Sequence, residues 1–216
     1  MNKNKVRVIS NPVILQNLCT MRSKDTDSQG VRIATRKITR CLLYEAVQNL
    51  PLIEKEVTTP LTTFKAKTID SDINIIISPI LRAGLIFTDE AIDIIPQACI
   101  RHIGMYRDEK TLKPVWYYNK VPIEAPNPEK FYIYITDPML ATGNSLLGAI
   151  KLYADKGIPI DHIKCICIIA APEGIENIQK QYPDIEIITA AIDDCLNENG
   201  YIVPGMGDAG DRIFNT

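Results

Sequence analysis

The sequence predicts an α/β protein in which helices cover both faces of a doubly wound, mostly parallel sheet. Two observations lead to this fold class. Short runs that are apolar on every residue recur along the chain, and segments with helical patterns separate the later ones. Strands that are apolar on both faces are typical of parallel sheets enclosed by helices. The length of 216 residues suits a single domain with a full core.

The first 50 residues predict a helical N-terminal segment. The stretch 31–50, after Gly30, has helical character and ends at Pro51. Beyond it, strands and helices alternate, as expected for β-α-β units. The predicted strands are residues 74–78, 99–106, 131–136, 164–171 and 186–190. The predicted helices are residues 85–95, 145–156 and 174–181.

Charge is distributed unevenly along the chain. Residues 1–40 carry a net charge of +7 and the remainder carries −9, so we expect a homodimer or homotetramer. Arg32, Arg36 and Arg40 fall on one stripe of the N-terminal helix. This stripe fits a solvated face or a subunit contact, or alternatively a site for a phosphate-bearing effector.

Two long segments interrupt the alternation of strands and helices. Residues 107–128 are polar and rich in proline, and we expect them to form an arm loop that projects from the sheet. Residues 197–216 are rich in glycine and follow the last predicted strand. Long loops in compact domains are usually functional, so the site is expected there.

Composition excludes several classes of protein. The six cysteines form no C-x-x-C pair, and we expect buried thiols in a reducing, cytoplasmic compartment. The N-terminus has no long apolar stretch of the kind found in secretion signals, and no run approaches a membrane span. The net charge of −2 gives no reason to expect bulk nucleic-acid binding. His102 and His162 are expected to be structural, and no nucleophilic triad is evident.

The most informative segment is FYIYITDPMLATGNS, residues 131–145. An apolar strand ends in Asp137, and a short turn through Thr142, Gly143 and Ser145 leads into a helix. Free backbone N–H groups and the positive end of a helix suit a phosphate monoester, and a nearby acid can accept from sugar hydroxyls. The alternative is an ordinary strand-to-helix turn capped by Ser145.

A strand, an acid and a T-G-x-S turn resemble the signature with which type I phosphoribosyltransferases bind 5-phosphoribosyl diphosphate (PRPP). Four further segments extend the likeness: PILRAGL at 79–85, HIGMYRDEKTLKP at 102–114, AAPEGI at 170–175 and GYIVPGMGDAGDR at 200–212. Their sequence and order resemble the uracil phosphoribosyltransferase family over about residues 11–214.

The resemblance implies a fold, a reaction and a set of ligands. It implies a single type I phosphoribosyltransferase domain over residues 1–216, with a base-binding hood at 191–216. The implied reaction transfers the phosphoribosyl group of PRPP to uracil, giving UMP and diphosphate in pyrimidine salvage. Magnesium is the implied cofactor, and GTP is an activating effector in some members.

The resemblance also implies which residues bind the substrates. In this family Asp137 holds the ribose hydroxyls, the turn at 141–145 holds the 5′-phosphate, and Arg82 and Arg107 meet the diphosphate. The implied catalytic residues are Asp137, Arg107 and Asp208. The implied PRPP-binding residues are Arg82, Arg107, Asp137, Pro138, Met139, Leu140, Ala141, Thr142, Gly143, Asn144, Ser145 and Asp208. The backbone around Ile202, Gly207, Asp208 and Ala209 is implied to bind uracil.

Asn144, Ile86 and Phe87 depart from the family pattern, whereas Thr136 departs only from that of other phosphoribosyltransferases, since uracil enzymes commonly have a non-acidic residue there. Asn144 replaces a second glycine of the turn, and we expect binding to survive because asparagine tolerates positive φ. Ile86 and Phe87 replace Gly-Met, and they either reshape the diphosphate pocket or repack the following helix. Thr136 stands where many relatives have a second acid, so magnesium is expected to be held mostly by diphosphate, ribose and water.

Two other functions compete with this hypothesis. One is transfer to a different base, which the segment at 200–212 disfavours. The other is a regulator that keeps the fold and binds nucleotides or RNA without turnover, as some relatives do. A missing basic RNA face outside residues 1–40 disfavours the regulator.

Overall fold

A computed structural model describes residues 5–107, 114–121 and 124–216, without the side chains of Tyr106, Arg107 and Pro114. It has helices on both sides of a mostly parallel sheet. The helices are α1 (Pro12–Arg22), α2 (Ser28–Ala46), α3 (Thr88–Ile94), α4 (Asn144–Ala154), α5 (Pro172–Gln181) and α6 (Ala209–Phe214). The strands are β1 (Val6–Val8), β2 (Leu52–Thr58), β3 (Thr63–Ile69), β4 (Asn74–Leu81), β5 (Cys99–Ile100), β6 (Ile103–Arg107), β7 (Pro114–Asn119), β8 (Phe131–Thr136), β9 (Met139–Leu140), β10 (Ile163–Ile166), β11 (Ile169–Ala170), β12 (Glu186–Thr189), β13 (Ala191–Ile192), β14 (Cys195–Leu196) and β15 (Ile202–Val203).

The main sheet has the strand order β1-β12-β10-β8-β4-β6-β7, with β5 also paired to β4. Its neighbours are parallel except for the antiparallel pair of β6 and β7. Three of its strands continue, after a short break, as the smaller parallel sheet β13-β11-β9. The carboxyl ends of the central strands therefore lie together, at the edge where α/β proteins bind ligands.

Two apolar cores confirm the predicted α/β fold class. On β4, Ile75 and Ile77 face the core beneath α1, α2 and α3, whereas Ile76 faces the core beneath α4 and α5. The same alternation occurs on β8, where Tyr134 faces the first core and Ile133 the second. Both faces of these strands are buried, which explains their continuous apolar runs.

The structure corrects several predicted boundaries. Helix α2 begins earlier than predicted because Asp27 caps it by accepting a hydrogen bond from the Gly30 N–H at 2.7 Å. Residues 107–128 are not a continuous loop, since Pro114–Asn119 forms β7 and the Trp116 ring packs over Gly148 of α4. The prediction of a continuous loop at residues 197–216 is also wrong, because that segment contains β15 and α6.

The arginine stripe of α2 makes contacts within the chain. Arg36 and Arg40 both pair with Glu90, whose side chain is 2% exposed. Both arginines lower the pKa of Glu90 through hydrogen bonds and charge, against the opposing effect of its burial. Arg32 donates to the Ile213 carbonyl at 2.8 Å. These contacts fasten α2 to α3 and α6, so the stripe is not simply a solvated face.

The other sequence expectations have mixed outcomes. All six cysteines are free; Cys165 and Cys167 are buried as expected, but the expectation is wrong for Cys19, Cys99 and Cys195, which are exposed. The His162 ring stacks on Tyr132 with centroids 4.3 Å apart, as suits a structural histidine. Within the part of the chain described, none of the helices is both long and apolar enough to span a bilayer.

Candidate active site

A cavity of about 250 Å³ lies where the central strands end and the C-terminal segment folds over them. It brings together residues that are far apart in sequence. The lining contains seven residues predicted from the sequence: Asp137, Met139, Ala141, Ile202, Gly207, Asp208 and Ala209. Ala83, Gly200, Tyr201, Met206 and Gly210 complete it. The carboxyl end of β8 and the glycine-rich tail, which the resemblance places in one site, therefore line the same cavity.

Asp137 stands at the break between β8 and β9. Its backbone N–H donates to the Ile166 carbonyl at 3.1 Å, which ties the break to β10. Its carboxylate accepts a hydrogen bond from the Met139 N–H at 3.2 Å. Burial raises the pKa of Asp137 to about 7, and the Met139 hydrogen bond opposes that rise only in part. Hydrogen-bond donors that approach this carboxyl group would favour its ionised form.

The turn before α4 presents unpaired backbone donors. Gly143 precedes the helix with φ of 80°, and no side chain caps the helix start. Ser145 therefore does not cap the helix, contrary to that part of the alternative. The positive φ belongs to Gly143, whereas Asn144 is already helical and accepts a hydrogen bond from Asn177 at 3.0 Å. The free N–H groups at this helix start suit an anion.

Helix α5 supports the turn from below. The Asn177 side chain donates to the Thr142 carbonyl at 2.9 Å. A Cβ atom on Gly143 would stand 2.8 Å from the Gly174 carbonyl oxygen, so the two segments are in close contact. Sequence reasoning did not assign Asn177 or Gly174 to the site. The only signal for Gly174 was its place in the segment AAPEGI, and Asn177 gave none.

The C-terminal hood closes the cavity from the opposite side. Ile202 and Ala209 are buried, and Gly207 has φ of 80°. The Asp208 carboxylate caps α6 by accepting a hydrogen bond from the Asp211 N–H at 2.9 Å. Asp208 thus has a structural contact in addition to its place in the cavity lining.

Two arginines are expected at the diphosphate, and the structure describes the side chain of Arg82 but not that of Arg107. Arg82 follows β4 with an exposed side chain, and its Nη2 lies 3.5 Å from Asp211 Oδ1. The next residue, Ala83, lines the cavity. Gly84 packs so closely against the end of β8 that a Cβ atom would stand 2.6 Å from the Thr136 carbonyl oxygen. The Arg107 side chain and two parts of the arm, residues 108–113 and 122–123, lie outside the described residues.

Other predicted residues lie beside the cavity without lining it. Thr142, Gly143, Asn144 and Ser145 form the turn and the start of α4. The Pro138 carbonyl accepts hydrogen bonds from the Ile168 and Ile169 N–H groups, and Leu140 is buried.

The departure at Ile86 and Phe87 concerns packing. Phe87 is fully buried in the first core, and Ile86 lines a different cavity.

Known proteins resemble this chain over almost its whole length. The family model for uracil phosphoribosyltransferase matches residues 8–216. The uracil phosphoribosyltransferase of Dictyoglomus thermophilum is 46% identical over 211 residues, covering 98% of this chain and 99% of that protein. The uracil phosphoribosyltransferase of Lachnoclostridium phytofermentans is 43% identical over 213 residues, with 99% of each chain covered.

Solved structures share the fold. The AQ2163 protein from Aquifex aeolicus superposes with a TM-score of 0.87 at 34% identity, over 97% of both chains. An adenine phosphoribosyl transferase from Trypanosoma brucei, in complex with AMP, pyrophosphate and ribose-5-phosphate, shares the fold at 11% identity with a TM-score of 0.57. It covers 94% of this chain and 88% of its own. The family-model match over residues 8–216 and the 43–46% identity to the two curated relatives show that the chain belongs to the uracil phosphoribosyltransferase family, the pentosyltransferases that convert uracil and PRPP into UMP and diphosphate.

Proposed function

We propose that this cavity is where the enzyme holds PRPP against uracil, with the 5′-phosphate on residues 141–145 and the ribose hydroxyls on Asp137. The observation that carries the proposal is the joint lining of one cavity by Asp137 and by the hood residues Gly207 and Asp208. A sugar bound at Asp137 would then face a base bound at the hood. Catalysis by such a site rests on positioning and electrostatics.

The reaction exchanges one bond at the ribosyl C1 for another. The bond to diphosphate breaks and the bond to the uracil nitrogen forms, so negative charge develops on the leaving group and positive charge on the sugar. Arg82 and Arg107 are proposed to stabilise the departing diphosphate as fixed guanidinium donors. Asp137, once ionised, holds the ribose and offsets the charge on the sugar. Asp208 completes the proposed catalytic set beside the sugar phosphate.

Uracil recognition is proposed to use the backbone of the hood. Uracil presents an acceptor, a donor and an acceptor along O2, N3–H and O4, whereas cytosine inverts two of these groups. Backbone groups at Ile202, Gly207 and Ala209 cannot exchange donors for acceptors as a rotating amide side chain can. Leaving buried groups unpaired costs about 1–3 kcal/mol each. Such a site could reject cytosine by about 10⁴-fold.

Magnesium is proposed to enter with PRPP, as part of the substrate complex. The described residues contain no group of three or more metal-ligating His, Cys, Asp or Glu side chains. Thr136, before Asp137, supplies no carboxylate, and its buried hydroxyl has no hydrogen-bond partner. These residues fit a metal held mainly by diphosphate, ribose and water. When bound, magnesium neutralises charge on the diphosphate.

A homo-oligomer is proposed because the hairpin of β2 and β3 has an unpartnered apolar face. Every residue of β2 is exposed. Glu54 and Glu56 pair across the hairpin with Lys67 and Lys65, which makes one face polar. The other face carries Ile53, Val57, Phe64, Ala66 and Thr68 around Lys55. A two-stranded hairpin is only marginally stable alone in water, so a second copy of the chain would supply the missing packing.

A phosphate-bearing effector such as GTP is the remaining regulatory part of the proposal. A second cavity of about 460 Å³ is lined by Arg32, Arg36, Ile86 and Phe214, among others. The segment Ala83–Phe87 borders both cavities, so an occupant of the second would affect the first. We also propose that the chain is a single domain with a hood at 191–216 and that the enzyme works in the cytoplasm.

Ligand binding to a hydroxyl-deleted turn tests the proposed 5′-phosphate site. Thr142→Val removes one donor beside the start of α4, and UMP affinity measured by titration calorimetry should fall at least fivefold. Thr20→Val is the matched control, because the Thr20 hydroxyl bonds only the Gln16 carbonyl of its own helix. Equal UMP affinity in the wild type and Thr142→Val would remove Thr142 from the phosphate site.

A further inference from the structure

An arginine at the end of α1 hydrogen-bonds to the turn at Gly205, within the hood. Arg22, the last residue of α1, donates through both terminal nitrogens to the Asp193 carboxylate, at 2.6 and 2.7 Å. Asp193 also accepts from the Gly205 N–H at 2.8 Å. Arg22 in turn donates to the Gly205 carbonyl at 2.8 Å. Arg22 and Asp193, which are 171 residues apart in sequence, therefore bond both the carbonyl and the N–H of Gly205.

Gly205 in turn fixes the backbone next to the cavity. Its φ is 56°, and a Cβ atom there would stand 2.1 Å from the Ile202 carbonyl oxygen. The turn from Ile202 to Gly205 is therefore closed on itself. Ile202 lines the cavity, and Gly207 follows two residues after Gly205. A displacement of Gly205 would move both backbone segments proposed to recognise uracil.

A second arginine fastens the same turn to the same helix end. Arg212 donates to the Met206 carbonyl at 2.9 Å and to the Met21 carbonyl at 2.7 Å. Its other terminal nitrogen donates to the Ser23 carbonyl at 2.5 Å. Carbonyls at a helix C-terminus lack partners within the helix, so Arg212 satisfies the end of α1 while it anchors the hood. The C-terminal end of α1 thus anchors the hood, through the contacts of Arg22 and of the Met21 carbonyl.

We propose that Arg22 and Asp193 are positioning residues for uracil: neither lines the cavity, and together they set the donor and acceptor pattern of the hood. This inference rests on the proposed recognition of uracil by backbone groups. The bidentate pairing is specific to a guanidinium, since a lysine ammonium cannot form two parallel hydrogen bonds to Asp193 while also bonding Gly205. The PRPP turn has separate support from α5, through Asn177 and Gly174.

Loss of this pairing therefore has a distinctive kinetic signature. A looser hood weakens uracil binding, because buried donors and acceptors no longer meet the base at fixed positions. PRPP binding changes little, because α5 holds the turn at 141–145 and Asp208, the hood residue proposed to contact PRPP, keeps the hydrogen bond that it accepts from the Asp211 N–H. If the ion pair merely joined α1 to the rest of the protein, its loss would lower the melting temperature and would not raise KM for one substrate more than for the other.

The chain contains a matched control for this distinction. Arg7 on β1 also bridges carboxylates, with Glu45 at 2.6 Å and Glu186 at 3.0 Å. Its side chain is 30% exposed and that of Arg22 is 24% exposed. Arg7 contacts none of the residues that line the cavity in the described part of the chain.

The experiment compares Arg22→Lys with Arg7→Lys in steady-state kinetics and thermal melting. Arg22→Lys should raise KM for uracil at least tenfold while KM for PRPP stays within twofold. Arg7→Lys should leave both KM values within twofold. Asp193→Asn, which keeps the size of the side chain, should reproduce the uracil-specific effect and serves if Arg22→Lys does not fold.

Two results would overturn the inference. One is an unchanged KM for uracil in folded Arg22→Lys or Asp193→Asn protein. The other is an equal rise in both KM values, which would mean a general structural role. Turnover by the wild type shows whether the positioning role alone has failed or the proposed function as well. Wild-type turnover of uracil with an unaffected variant refutes only the positioning role, whereas absent turnover refutes both.

Discussion

Gly174 of α5 lies directly against Ala141 of the turn proposed to bind PRPP: a Cβ atom on Gly174 would stand 2.2 Å from the Ala141 carbonyl oxygen. Only a residue without a side chain permits this approach. Helix α5, which lies outside the turn, therefore fixes the position of the turn backbone at Ala141. This contact connects a residue with no polar side chain to the proposed phosphate site.

Gly174→Ala should displace the turn and weaken every ligand that carries a 5′-phosphate. We expect KM for PRPP to rise at least tenfold, equivalent to about 1.4 kcal/mol. Affinity for UMP should fall in parallel, and circular dichroism should show a folded protein. Kinetics equal to those of the wild type would mean that the backbone accommodates the methyl group without moving the turn.

Asp137→Asn should fold and lose most activity, because it removes the charge proposed to accept hydrogen bonds from the ribose hydroxyls. Hydrogen bonds to a charged group contribute about 1.5–3 kcal/mol each. An unfolded variant, or one with wild-type kcat/KM for PRPP, would refute this role for Asp137.

The same substitution should alter how stability depends on pH. In the folded enzyme burial raises the pKa of Asp137 from 3.8 to about 7. Between these values the folded state binds more protons than the unfolded state, so the contribution of Asp137 to stability falls as pH rises. Asparagine has no such titration. The melting temperature of Asp137→Asn relative to wild type should therefore increase from pH 5 to pH 8, and a constant difference would contradict the raised pKa.

Arg107→Ala tests the proposed diphosphate contact at the end of β6. We expect KM for PRPP to rise or kcat to fall at least tenfold, with the melting temperature within a degree or two of wild type. An arginine in a loose surface ion pair contributes only about 0–1 kcal/mol. Unchanged kinetics would assign Arg107 to the solvated surface, and a large loss of melting temperature would make its role structural.

The hairpin of β2 and β3 makes the proposed oligomer testable. Val57 and Phe64 are opposite each other on its apolar face. Val57→Lys should shift the mass measured by light scattering toward the monomer. Glu54→Lys, on the polar face, is the control and should leave the mass unchanged. A monomeric wild type, or an oligomer unaffected by Val57→Lys, would exclude this face as the interface.

The sequence predicted those parts of the fold that have a strong local pattern. The strands around 131–136 and 186–190 are apolar on both faces because helices cover both sides of the sheet. Helix α1 falls within the N-terminal segment predicted to be helical, but its bounds were not predicted, because its apolar residues cluster without a clear polar face, although Asn11 and Pro12 form an N-cap and first turn. Strand β7 escaped prediction because prolines surround it, and its place depends on pairing with β6.

The same division holds for the site. Asp137 was predicted from its place between a strand and a turn, and the tail at 207–209 from the family resemblance, because each lies in a contiguous motif. Asn177, Arg22 and Asp193 were not, because each acts through a partner between 12 and 171 residues away. Contacts of this kind depend on the folded topology and leave no local pattern in the sequence.

The most direct test of the account is to incubate the enzyme with PRPP, magnesium and one nucleobase at a time, and to identify the mononucleotide formed. The account predicts UMP and diphosphate from uracil, and CMP formation from cytosine slower by about 10⁴-fold at equal base concentration. Comparable rates of CMP and UMP formation would contradict recognition by a fixed backbone pattern in the hood.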